Sequence, residues 1–214
     1  MTFKELDTKG KIEHIWEYYR LRIFMIIFLV CVAISFIYTI FIKPHPDLYC
    51  GVAMYNQFIS MDDIETITDE LDTRFNLNPD EYTVDIQSFY DDGSDVMVEA
   101  QLNQKFNTYI YASQFHLLLS DKENIETFIS AEYMTSLSDY LSQEQIAELD
   151  SQGKILYAIN PYTNKNEPMA VDISDSAFLK KYDLYQETGC YMGFVPMPDN
   201  GDHTLNVFNA LMEK

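Results

Sequence analysis

Carboxylates are the one chemically active group that this sequence supplies in quantity: 34 Asp and Glu stand against 14 Lys and Arg, for a net charge of −20. Two stretches crowd them beside a glycine, Asp91-Asp92-Gly93-Ser94-Asp95 and Pro198-Asp199-Asn200-Gly201-Asp202. A calcium loop needs spaced oxygen ligands ahead of its glycine. That order is missing here, and apolar Val96-Met97-Val98 follow the first stretch, so both are turns that run into helix caps. Two carboxylates could also hydrolyse a bond held between them, one as acid and one as base or nucleophile. No pair stands out from so many by position alone. The four histidines, His14, His45, His116 and His203, are scattered, and none has a second His or Cys three or four residues on, as a helical zinc site requires. The patterns GxGxxG, GxxxxGKS/T and GxSxG are absent, so neither a phosphate cradle nor a nucleophile elbow is encoded as a sequence signal. The sequence therefore nominates no catalytic residue, no metal ligand and no cofactor.

What it does nominate follows from the elements that would carry such groups. Leu48 to Tyr55 is a short apolar run bounded by polar turns, the pattern of a buried strand. Ser60 caps a helix with Ile64, Ile67, Leu71 and Phe75 at helical spacing. From Tyr82 to Tyr90 the period is two, with Tyr82, Val84, Ile86 and Tyr90 on an apolar face and Thr83, Asp85, Gln87 and Phe89 on a mixed one. Ser94 caps a long helix whose stripe is Leu102, Phe106, Tyr109 and Ile110. Phe115 to Leu119 suits a central strand covered on both faces, and Asp121 to Ser130 returns to helix. This alternation predicts an α/β domain on a mainly parallel sheet with right-handed crossovers.

The second half repeats the theme less regularly. Ser142 to Gln145 is a capping box, Lys154 to Ile159 and Met169 to Ile173 are strand-like about a turn-rich stretch from Asn160 to Asn166, and Asp175 to Tyr182 is helical. Cys190 to Val195 and Thr204 to Met212 close the chain as strand and helix. In a sheet of this kind ligands bind beyond the carboxyl ends of the parallel strands. That rule names Asn56 and Gln57, Tyr90 and Asp91, and Ser120 and Asp121 as candidate ligand-binding residues.

One run decides where all of this sits. Ile23 to Ile42 holds twenty residues without a charge between Arg22 and Lys43. At about 1.5 Å per residue it makes a helix of about 30 Å, the thickness of a bilayer's hydrocarbon core. Its length and the following Lys43-Pro44-His45-Pro46 favour an uncleaved anchor over a signal peptide, which ends in small residues. Lys4, Lys9, Lys11, Arg20 and Arg22 keep residues 1–22 in the cytoplasm, with 43–47 as a spacer and 48–214 outside. Beyond Lys43 lie 30 acids and eight bases, the chain's 34 and 14 less the four acids and six bases before that point. Such a surface repels nucleic acid. Cys31 falls in the span, and Cys50 and Cys190 are either a disulfide or two buried thiols.

The order of elements also resembles one lobe of the type 2 periplasmic solute-binding proteins, the receptors of ABC importers. Gln101, Gln104 and Ala112 precede FHLLLSDKENIETFISAEYMTSLSDYL (Phe115 to Leu141), similar to that family's strand and Asp-containing loop. KILYAINPYTNKNEPMAVDI (Lys154 to Ile173) looks like its hinge-proximal strands, and Gly189 to Glu213 like its returning end. Membrane-anchored proteins of Clostridia, in the Firmicutes, resemble the whole chain, including KIEHIWEYYRLR (residues 11–22). A full receptor inserts a second lobe between the hinge passes, where this chain has only Asn160 to Asn166. The resemblance implies half of a binding cleft and transfers no ligand residue.

The expectation is a single-pass protein with an extracytoplasmic, non-enzymatic binding or assembly module. Its partner would be a small solute or a membrane or extracytoplasmic protein. The alternative is an anchored hydrolase with paired carboxylates.

Overall fold

The computed structural model describes residues 8–39, 46–91, 93, 95–196 and 201–213, in two units divided after residue 45. In the first unit, α1 (Thr8–Ile37) is long and apolar enough along Tyr19–Ile37 to cross a membrane, and none of that segment is buried within the protein. The far end of the expected span, residues 40–42, and most of the spacer lie outside the described residues.

The second unit is an α/β domain built on one six-stranded mixed sheet. Its elements are β1 (Asp47–Tyr55), α2 (Met61–Arg74), β2 (Tyr82–Phe89), α3 (Val96–Tyr111), β3 (Leu117–Ser120) and α4 (Lys122–Ser130). A 3-10 turn (Leu137–Asp139), α5 (Gln143–Ser151), β4 (Ile155–Asn160), β5 (Lys165–Asp172), α6 (Ala177–Lys181), β6 (Tyr191–Phe194) and α7 (Gly201–Met212) follow. The strand order is β2-β1-β3-β6-β5-β4. β1 pairs in parallel with β2 and with β3, whereas β3 with β6, β6 with β5 and β5 with β4 are antiparallel.

The expectation of a mainly parallel sheet is thus corrected to half of one. The reason is loop length. Only residues 161–164 join β4 to β5, enough for a hairpin but far too few for a crossover to a parallel neighbour.

Side-chain oxygens close the helix starts: Ser60, Asp95, Asp121, Ser142 and Ser176 each accept a backbone N–H from the first turn they precede. Each such cap contributes about 1 kcal/mol. The cap of α3 is Asp95 rather than the expected Ser94, which lies outside the described residues, as do residues 197–200.

Both faces of the sheet are covered. On one, Val52, Met54, Val84, Ile86 and Leu119 pack with α2 and α7 through Ile67, Leu71, Val207 and Phe208. On the other, Ala53, Phe89 and Leu118 pack with α3 and α4 through Phe106, Ile125 and Phe128. Phe89 is therefore buried and Tyr90 is 41% exposed, the reverse of the expected assignment, because the mixed face of β2 also has helices over it. Within β1, Gly51 leaves room for the chain entering β3, since a Cβ there would lie 1.8 Å from the Gln114 carbonyl oxygen.

Candidate functional site

Because β1, β2 and β3 run the same way, their carboxyl ends share one edge of the sheet. The chain leaves β1 through Asn56, whose φ of 58° is a left-handed conformation that Asn tolerates, and the Asn56 N–H donates to the Phe89 carbonyl at the end of β2 (2.8 Å). It leaves β3 through Asp121, which caps α4.

Around these ends lies a cavity of about 170 Å³. Asn56 and Asp91 line it from the strand ends, Glu99 and Asn103 from successive turns of α3, and Asn124 from the first turn of α4. Leu102 and the near-parallel rings of Tyr55 and Phe89, with centroids 6.5 Å apart, form the apolar part of its wall. Behind them Phe106 meets Tyr55, Phe89 and Phe128 at 5.2–5.3 Å, so the wall rests on packed aromatic rings.

Asp121 orders the polar side. Its Oδ2 accepts from Asn56 Nδ2 (3.0 Å) and Asn124 Nδ2 (2.7 Å), and its Oδ1 accepts from the Asn124 backbone N–H (3.0 Å). A carboxylate only accepts, so these contacts decide the rotation of both amides and leave their carbonyl oxygens turned away from Asp121. Burial pushes the Asp121 pKa up, but the hydrogen bonds from Asn56 and Asn124 outweigh it and hold the group below the usual carboxylate range. The Tyr55 hydroxyl donates to Asn103 Oδ1 (3.1 Å). Burial raises its pKa, and the negative charges of Glu99, Asp91 and Asp121 raise it further.

Of the six residues chosen from the sequence, Asn56 and Asp91 line the cavity, and Asp121 holds two of its amides. Ser120 and Gln57 are braces. The Ser120 hydroxyl donates to the Tyr55 carbonyl (3.0 Å), and Gln57 Oε1 accepts from the Tyr185 N–H (2.8 Å). Tyr90 stands outside, with its ring against Phe58.

Sequence reasoning missed Tyr55, Glu99, Asn103, Asn124 and Tyr185. Glu99 and Asn103 lie seven and three residues before Phe106, on the stripe already visible, and extending that stripe toward the cap would have found them. Tyr185 gave no signal. It is buried with φ 53°, and its hydroxyl lies 2.8 Å from the Tyr55 carbonyl and 3.0 Å from that of Leu119, tying β1 to β3.

Other groups are structural. Cys50 and Cys190 are separate buried thiols, and burial raises both. Buried His116 accepts the Gly51 N–H at Nδ1 (2.8 Å), while its Nε2 has no hydrogen-bond partner among the described residues. Burial, with a smaller contribution from His203, lowers its pKa to about 4. Among the described residues no three His, Cys, Asp or Glu are grouped to hold a metal.

These features define an α/β domain with a polar cavity at the carboxyl ends of its parallel strands. No family model matches the chain, and neither a curated protein nor a solved structure matches it significantly.

Proposed function

We propose that the chain is a membrane-anchored, extracytoplasmic binding module, similar in plan to one solute-binding lobe, whose ligand site is the cavity among Asn56, Asp91, Glu99, Asn103 and Asn124. The observation that carries this reading is convergence: of the six residues selected by the strand-end rule, Asn56 and Asp91 line one cavity and Asp121 supports it. The alternative, an anchored hydrolase, needs a carboxyl group kept protonated near neutral pH. Among the described residues the carboxyl groups displaced from their ordinary values are Glu70, Asp121 and Glu167, and all three are lowered. That direction favours binding over acid catalysis.

Two measurements on the full chain test the reading. Protease added to intact cells should remove the acidic domain without lysis; a domain that stays protected until lysis refutes the topology. In detergent micelles, a small-solute library should contain compounds that raise the melting temperature, since a ligand at 100 times its Kd stabilises by about 2.7 kcal/mol. Asn103→Leu should abolish the effect. A library that shifts nothing, or shifts this variant equally, refutes the site.

A further inference from the structure

Resting on the proposal that this cavity binds a ligand, we propose that its ligand presents an ammonium or guanidinium group. The charged and polar groups around the cavity select for such a group. Asp121 accepts one N–H from the amino group of Asn56 and one from that of Asn124, and Asn103 Oδ1 accepts from the Tyr55 hydroxyl, so each amide keeps part of its hydrogen-bonding capacity. Among the described residues Glu99 accepts no hydrogen bond and Asp91 accepts one, from the Gly93 N–H to Oδ1 (3.0 Å). Among the described residues that line the space none is basic. The polar wall thus combines the two carboxylates of Asp91 and Glu99 with the amides of Asn56, Asn103 and Asn124, so its charge is all negative, beside the rings of Tyr55 and Phe89. An anion would be repelled by both carboxylates, and a neutral compound would leave their charge uncompensated. A nitrogen cation answers both halves of the wall, donating charge-assisted hydrogen bonds to the oxygens and resting against the aromatic rings. At roughly 30 Å³ per water-sized group, the space suits a head group of about six heavy atoms, the end of a lysine or arginine side chain or a small free amine. The net negative domain attracts such a group from a distance.

The test is isothermal titration of the full chain in micelles with methylguanidine, agmatine and putrescine, against glucose, acetate, inorganic phosphate and calcium, and with a short Arg- and Lys-containing peptide. The cations are expected to bind, with affinity falling as salt rises, and Glu99→Gln and Asp91→Asn should each weaken them about tenfold or more. Glu167→Gln, far along the sheet, should change nothing. Tighter binding of the peptide than of free amines assigns the group to a partner protein, and the reverse order assigns it to a free solute. Binding of glucose, acetate or phosphate that Asn103→Leu abolishes overturns the cationic assignment but leaves the binding site standing. Calcium binding lost in Glu99→Gln, with no amine binding, likewise overturns it. Binding of no probe at all overturns both.

Discussion

A polar cavity among the described residues of the parallel half of the sheet and one in the antiparallel half treat their polar groups in opposite ways. The space in the antiparallel half is the larger, about 550 Å³, between the 3-10 turn and the β4–β5 hairpin. Yet its acids are already engaged: Glu167 accepts from Asn160 Nδ2 (2.6 Å) and the Thr163 hydroxyl (2.7 Å), and Asp139 accepts from the Thr135 hydroxyl. The parallel-half cavity is about 170 Å³, but among the described residues its Glu99 accepts no hydrogen bond. Volume is therefore the wrong guide. In the hairpin half the polar groups satisfy the turn that carries them, whereas in the parallel half Asp121 organises its neighbours and leaves acceptors over.

The sharpest way to break this contrast is to remove its foundation. Phe106→Ala opens the aromatic core behind the parallel-half cavity and should cost about 3–5 kcal/mol in urea unfolding, while Tyr157→Ala on the exposed edge of β4 should stay within about 0.5 kcal/mol. Equal losses would mean that the halves are not differently built.

Next comes acid. His116 sits on the seam between the halves: its N–H donates to the Gly51 carbonyl of β1, and its own carbonyl accepts from the Val195 N–H just past β6. With a folded pKa of about 4 against 6.5 unfolded, the native state binds fewer protons within that window. Stability should therefore be complete above pH 6.5 and fall by up to about 3 kcal/mol toward pH 4. Denaturation midpoints measured across that range check this, and His116→Gln should flatten the slope. The lowered pKa of Asp121 acts in the same direction at lower pH, its contribution being lost as pH falls through its folded value.

Smaller effects sharpen the comparison. Tyr185→Phe removes the hydroxyl that ties β1 to β3 and leaves buried carbonyls short of a donor, a loss of about 1–3 kcal/mol. Hydrogen exchange should quicken at Tyr55 and Leu119 and not at the β4–β5 hairpin. Smallest is Ser142→Ala, which opens the capping box of α5 for about 1 kcal/mol in the same unfolding assay and leaves the parallel-half cavity untouched.

Much of this was legible in the residues. The helix periods, two of the five caps (Ser60 and Ser142) and the buried run of β1 are local patterns, and local patterns survive folding. Strand direction in the second half is set by how far the four-residue connection between β4 and β5 reaches, which the periodicity of the strands themselves does not encode. Half of the site was legible for the same reason: Asn56, Asp91 and Asp121 follow strand ends, which sequence locates. Glu99, Asn103 and Asn124 come from helices whose rotation about their axes depends on packing against Phe89 and Phe115. Tyr185 stands 130 residues from the Tyr55 carbonyl it reaches, and no spacing rule spans that distance.

Side-chain amide spectra of the isotopically labelled full chain, recorded in micelles against cationic, neutral and anionic solutes, test the account most directly. The prediction is that some solute moves the Asn56, Asn103 and Asn124 resonances together and leaves Asn160 still. Movement confined to Asn160 and the hairpin, or none with any solute, would contradict the claim that the parallel strand ends form the binding site.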